Sequence, residues 1–197
     1  MTQDHDPTKT DGAPAAVYRP AARHLHWATA AAVFVMLPLG FAMTYRGNSM
    51  DVWDWLTNAM FSTHKLLGFL VLWLVAGRLL YRLVKGAPPD EPSLRPWEKL
   101  LSHAVHWLLY GLLLAVPLLG WIGISLYPSL TVFGLFDLPP LATPDKPSAE
   151  RVLDIHGLLA RVLMGLAALH IAAALQHHFL RKDGVLRRML PGLGRRR

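Results

Sequence analysis

Four stretches of this chain are apolar for long enough to cross a lipid bilayer. This limits the fold more than any other feature, because in hydrocarbon every backbone amide must find its partner within the protein. A crossing helix needs about 20 mainly apolar residues, and residues of about 24–45, 62–84, 101–127 and 152–180 meet that need. Trp27 to Tyr45 is uncharged throughout. The second stretch carries Arg78 and Arg82 near its far end, where long side chains reach back to the headgroups. The third contains Pro117 and Gly120, which are commoner in membrane helices than in soluble ones and able to kink them. The expected fold is all-α, an integral membrane four-helix bundle over residues 21–184. A polar, Pro-bearing N-terminal tail (1–20) precedes it and a basic C-terminal tail (185–197) follows. The N-terminal tail has no apolar core and so does not read as a cleaved signal.

Composition removes several functions. Cysteine is absent, which excludes disulfides, thiolate metal sites and cysteine nucleophiles and leaves histidine and carboxylate as the available metal ligands. The formal net charge is +7, but the Lys and Arg residues flank the apolar runs instead of clustering on polar surface, so the partner is membrane lipid and not nucleic acid. The same residues orient the chain, since basic loops stay cytoplasmic. The segment before the first span holds Lys9, Arg19 and Arg23, and the second connection holds Arg82, Lys85, Arg95 and Lys99. Seven more lie in the C-terminus: Arg181, Lys182, Arg187, Arg188, Arg195, Arg196 and Arg197. Against these fourteen, the other two connections hold Arg46, Lys146 and Arg151. Both termini are expected to be cytoplasmic in a bacterial inner membrane, with residues 46–61 and 128–151 facing outward. Trp53, Trp55, Tyr127 and Phe133 in those connections suit the membrane interface.

The histidines then fall at definite depths. His26 opens the first span on the inner side, His64 opens the second on the outer side, and His103 and His106 open the third on the inner side. In the fourth span His156 lies near the outer surface and His170 deeper. The fourteen residues separating them cover roughly 21 Å and return to within about 40° of one helix face. His64 matches His156 in depth, and His26 matches His170; His24 is a shallower rival to His26 that points to a different side. Two stacked bis-His sites follow. A zinc site seldom has only two protein ligands, whereas haem iron takes four bonds from the porphyrin and needs two axial ones. Gly157, Ala160, Ala167, Ala173, Ala174 and Gly68 leave room beside those histidines for a flat macrocycle, and small residues also serve ordinary helix packing.

The segments HLHW (24–27), HKLLG (64–68), HAVHWLLYGLLLAVPLLGW (103–121) and IHGLLARVLMGLAALHIAAALQHHFLRKDGVLRRMLPG (155–192) resemble the prokaryotic cytochrome b561 family. That resemblance implies a four-helix membrane cytochrome with two haem b groups, one on His26 and His170 and the other on His64 and His156. It also implies electron exchange with ubiquinone and, in one branch, oxidation of superoxide at the outer surface. The N-terminal extension and Arg161 are not features of the family pattern.

Other polar groups in the spans need partners too. Arg78 lies fourteen residues after His64 on the same face, at the level of the inner haem. A haem propionate or a quinone carbonyl would satisfy it, as would snorkelling to the interface. Arg161 is deeper, no aspartate or glutamate at its depth in the spans is available to it, and a propionate of the outer haem is the expected partner. The scarcity of acids speaks against a metal or proton-coupled transporter, and no hydrolase nucleophile with a base is visible. The remaining alternative is a haem-bearing anchor that passes electrons between a partner dehydrogenase and quinone. At the inner end His177, His178, His103, His106 and Lys99 are candidates to hold a quinone and relay its protons. At the outer end Lys65, Arg46, Lys146 and Arg151 are placed to attract a superoxide anion, with Asp137, Asp145, Glu150 and Asp154 opposing them; an external redox protein is the other candidate donor.

Overall fold

Residues 17–190 are described by the structure, a computed structural model; Lys9, Arg195, Arg196 and Arg197 lie outside them. Helices α1 (Pro20–Thr44), α2 (Trp55–Lys85), α3 (Pro96–Leu126) and α4 (Lys146–Gln176) are joined in an up-and-down bundle. All four are long and apolar enough to cross a membrane. α1 and α4 each run on into a π-helical turn, Tyr45–Ser49 and His177–Arg181.

Local chemistry explains where the helices begin. Proline sits in the first turn of α1, α3 and α4, where its missing N–H would have had no helical partner. α2 starts instead on Asp54, whose carboxylate accepts from the Thr57 backbone N–H at 3.0 Å and from the Thr57 hydroxyl at 3.1 Å. The Arg46 guanidinium closes the cluster by pairing with Asp54 and donating to Thr57 Oγ1 at 2.9 Å. α2 ends at Gly86, which adopts a positive φ of 71°, the backbone state that stops helices with least strain in glycine. The helices exceed the apolar stretches at their starts: α2 begins seven residues before Ser62, α3 at Pro96 and α4 at Lys146. Polar first turns satisfy their own hydrogen bonds without being apolar, so hydropathy alone misses them. Trp55 accordingly lies in the first turn of α2 and not in a connection. Pro117 sits inside α3, which continues through it.

The α3–α4 connection contains a small antiparallel hairpin, β1 (Thr131–Val132) and β2 (Phe136–Asp137), with Thr131 opposite Asp137. Val132 is fully buried. The Phe133 N–H donates to Ser62 Oγ at 2.9 Å, and Lys65 Nζ donates to the Thr131 carbonyl at 2.9 Å. Trp121 Nε1 donates to the Pro139 carbonyl at 2.8 Å. The hairpin therefore caps the start of α2 and the end of α3. At the opposite end the chain folds back. Trp27 Nε1 donates to the Met189 carbonyl at 3.2 Å, Tyr18 N–H donates to the Arg188 carbonyl at 3.3 Å, and the Arg188 side chain reaches the Pro89 carbonyl. Residues 185–190 of the expected basic tail thus pack against the bundle, and Arg188 is buried.

α1 packs on α2, α2 on α3 and α3 on α4, while α4 makes no comparable backbone approach to α1 or α2. Val71, Val75, Tyr110, Leu113 and Leu163 form the buried core. Leu163 lies seven residues from both His156 and His170, so this apolar layer falls midway between the two histidine levels.

Hydrogen bonds from the Thr57 backbone and from Arg46 hold the Asp54 carboxyl down at about 2, against an ordinary 3.8. A carboxyl depressed in the folded state stabilises above its unfolded pKa, and the effect fades as pH falls from about 4 through about 2. Asp54→Asn is expected to lower the melting temperature by a few degrees at pH 6, with the gap to the parent protein narrowing at pH 3. Thermal unfolding in detergent followed by circular dichroism reads both.

Candidate functional site

α4 carries His156 and His170 on one face, and each meets an imidazole from another helix. The His64 and His156 ring centres are 6.2 Å apart with planes at 82°; those of His26 and His170 are 6.4 Å apart at 81°. An imidazole–metal bond of about 2.0–2.1 Å, with about 1.1 Å from nitrogen to ring centre, puts two rings on opposite sides of one metal about 6.3 Å apart. Both pairs have that separation. A third ring, His106, lies 5.1 Å from His170, too close for a metal to stand between them. His24 is exposed, while His26 faces His170.

The rings are held differently. His156 Nδ1 is 2.8 Å from the Val116 carbonyl, so its N–H donates there and the Nε2 lone pair is left free for a metal. His26 Nδ1 and His64 Nδ1 are buried with no hydrogen-bond partner; an unsatisfied buried polar atom costs ~1–3 kcal/mol. Each pair therefore holds one imidazole nitrogen that the chain itself does not satisfy. Beside His64 and His156 runs an open cleft, walled by Val33, Met36, Leu37, Leu113, Ala160 and Leu163 among others. Its apolar lining suits a macrocycle. The residues present therefore fit haem with bis-histidine ligation, and the donor set contains no thiolate to compete.

Two glycines back these rings, and neither is among the small residues that sequence reading placed beside the ligands. A Cβ on Gly40 would stand 3.2 Å from His64 Cε1, and one on Gly120 would stand 3.0 Å from His156 Cε1 and 3.1 Å from its Nδ1. Their positions on α1 and α3, at the depth of the opposing histidine, were the available signal. Of the residues expected to make room, Ala160 lines the cleft, whereas Gly68 faces Met36 and Gly157 faces Arg161 Nη1. Arg161 itself is exposed on α4.

At the end carrying the termini, His106 Nδ1 is 2.6 Å from the Ser102 carbonyl, and the Arg78 guanidinium lies 5.2 Å from the Tyr110 ring centre. His177 Nδ1 is 2.5 Å from Asp183 Oδ2, His103 Nε2 is 3.1 Å from Asp90 Oδ1, and His178 stacks edge-on against Phe179. At the hairpin end Arg46 is neutralised by Asp54, Lys146 lies over the Tyr127 ring and Arg151 reaches Ser148. Lys65, next to His64, is held by uncharged oxygens of Ser129 and Thr131.

Comparison with known proteins places this geometry. The profile of the family described as prokaryotic cytochrome b561 matches residues 17–192. Cytochrome b561 homolog 2 of Escherichia coli (strain K12) is 32% identical over 166 residues, which is 84% of this chain and 86% of the relative. Cytochrome b561 homolog 1 of the same organism is 32% identical over 176 residues, 85% of this chain and 93% of the relative. A probable superoxide oxidase CybB from Yersinia pestis is 36% identical over 127 residues, 63% of this chain and 70% of the relative. With four membrane-length helices, two imidazole pairs at metal-bridging separation and a family match over nearly its whole length, the chain belongs to the prokaryotic cytochrome b561 family, whose members bind haem b.

Proposed function

We propose that this cytochrome moves electrons across the bacterial inner membrane from a donor at the hairpin end to ubiquinone at the end carrying the termini. Two haem b groups serve it, one on His64 and His156 and one on His26 and His170. The observation that carries this reading is the pair of imidazole couples, 6.2 and 6.4 Å between ring centres, on either side of Leu163. Bound haem supplies reversible one-electron exchange at iron. The chain's own residues hold and insulate. The Val116 carbonyl fixes the His156 ring, and the layer of Val71, Val75, Leu113 and Leu163 keeps water from between the two sites. The excess of Lys and Arg on the termini side makes that side cytoplasmic.

Superoxide is the proposed donor, the substrate class of the probable superoxide oxidase of Yersinia pestis to which the chain is similar, and Lys65 beside His64 supports it. Two superoxide anions lose one electron each to become dioxygen, and ubiquinone takes both electrons with two protons to become ubiquinol. His106, His177 and His178 supply proton-exchanging groups at the quinone end, with the His177 ring already hydrogen-bonded to Asp183. The enzyme is then an oxidoreductase of the superoxide:quinone type. In the competing arrangement, a haem-bearing anchor for a dehydrogenase, superoxide would not reduce the protein.

A pyridine haemochrome assay on the purified chain is expected to give two haem b per chain. His64→Ala and His156→Ala are expected to empty one site, His26→Ala and His170→Ala the other. Full haem content in His170→Ala would overturn the pairing, and loss of the termini-end haem from His24→Ala instead of His26→Ala would exchange only that ligand. Slowed quinone reduction is expected from a His177→Ala, His178→Ala double variant.

Reduction by superoxide, followed by stopped flow, is expected to slow as salt rises, because the Debye length falls from about 10 Å at 0.1 M to about 3 Å at 1 M. Reduction no faster than a superoxide-free control would leave a protein donor. Gly120→Ala is expected to displace the His156 ring and to shift the reduced absorption band and midpoint potential of the hairpin-end haem. Gly77→Ala and Gly111→Ala, where an added Cβ meets nothing within 4 Å, are matched controls that leave both unchanged.

A further inference from the structure

At the end carrying the termini, an open pocket lies between α2, α3 and the start of α1, lined by Arg78, Arg82, Tyr81, Tyr110 and His106, with Tyr18 and Met189 among its walls. We infer that it binds the oxyanion of an amphiphile, through the guanidinium groups of Arg78 and Arg82. The chemistry admits two sources, the phosphate of an anionic lipid headgroup or the propionate of the haem at His26 and His170; the second depends on the ligation proposed above.

Charge carries the inference. Arg78 and Arg82 stand one turn apart on α2, where like charges repel, and neither forms an ion pair among the described residues. Their guanidinium carbons lie over aromatic rings, Arg78 at 5.2 Å from the Tyr110 centre and Arg82 at 5.8 Å from that of Trp107. Stacking of this kind leaves the N–H edge of the fork free to grip two oxygens at once. No carboxylate lines the cavity. The acids at this end are engaged elsewhere: Asp90 with His103, Glu98 with Arg181, and Asp183 with His177. Glu91 has a buried oxygen without a hydrogen-bond partner, but it sits against Gly184 and is not part of the cavity lining. Two uncompensated guanidiniums at a membrane boundary call for an anion from outside the chain, and basic pockets between membrane helices are known takers of lipid phosphate. A quinone ring is neutral and answers only the hydrogen-bonding capacity of the site. The walls also bind the pocket to the termini: Tyr18 N–H donates to the Arg188 carbonyl at 3.3 Å, and Met189 is the next residue.

The test uses the full haem-loaded chain in non-ionic detergent. Native mass spectrometry measures retention of phosphatidylglycerol and of phosphatidylcholine, and redox titration reads the haem midpoint potentials. If lipid phosphate is the ligand, phosphatidylglycerol is retained over phosphatidylcholine by about tenfold or more, the scale of a charge-assisted contact. Arg78→Gln with Arg82→Gln abolishes that preference without moving either potential. If a propionate is the ligand, neither lipid is preferred and the double variant shifts one haem's midpoint potential while the other stays. Arg78→Lys with Arg82→Lys keeps the charge and is expected to preserve lipid preference within about threefold, and Arg82→Gln alone serves if the double variant does not fold. No lipid preference together with unmoved potentials overturns the inference, as does displacement of bound phosphatidylglycerol by a short-chain ubiquinone.

Discussion

An imidazole inside a bilayer has to be partnered, and this bundle sets each of four rings opposite another across a gap of one metal's width. The spacing of His156 and His170 on α4 sets the rest. Fourteen residues bring the second ring back to nearly the face of the first, so both look across to α1 and α2, where His26 and His64 stand at matching levels. Leu163, halfway between them, joins Val71, Val75 and Leu113 in a buried layer. The two polar levels are thereby separated by packed apolar side chains, and the bundle becomes two sites in series instead of one long polar seam.

The two ends are built from different materials. At the hairpin end the ring of His156 is both hydrogen-bonded to Val116 and backed by Gly120 on the same helix, so α3 fixes its direction from two sides. Gly40 does part of the same for His64 from α1. The hairpin then ties Lys65 down through the Thr131 carbonyl, which fixes the ammonium group beside a candidate ligand. At the other end His170 has two imidazole neighbours, and histidine–carboxylate pairs surround the site. Those pairs, His103 with Asp90 and His177 with Asp183, draw the local acids away from Arg78 and Arg82.

Sequence reading recovered what periodicity and depth encode. Four apolar runs foretold the four helices, and the interval between His156 and His170 foretold which rings could meet. His26 was preferred over His24 for its phase on the helix, and its ring indeed lies against His170. What was not legible depended on contacts between helices. Gly120 read as a possible kink, although its role is to leave space for a ring from α4; nothing within α3 itself announces that. The polar starts of α2, α3 and α4 escaped hydropathy because capping by Asp54 or by a first-turn proline is a local hydrogen-bonding matter. The hairpin at 131–137 is held by Ser62 and Lys65 from more than sixty residues away, and the fold-back of residues 185–190 onto Trp27 and Tyr18 spans still more of the chain. Long-range hydrogen bonds of this kind leave no periodic trace.

The open seams beside α4 follow from the solvent. In water, apolar faces as exposed as those of Leu158, Val162, Leu169 and Ile171 would drive α4 inward until it closed on α1 and α2. In lipid that drive is absent, because hydrocarbon tails solvate leucine as well as a neighbouring helix does, and association rests on van der Waals fit and hydrogen bonds. α4 therefore rests on α3, where Gly123 lets Leu153 approach closely and Gly120 admits His156. It remains apart from α1 and α2 except where its histidines and Leu163 reach across. A membrane bundle can keep a slot open for a flat apolar group at small cost, and here the slot runs beside His64 and His156, with Leu163 at its wall.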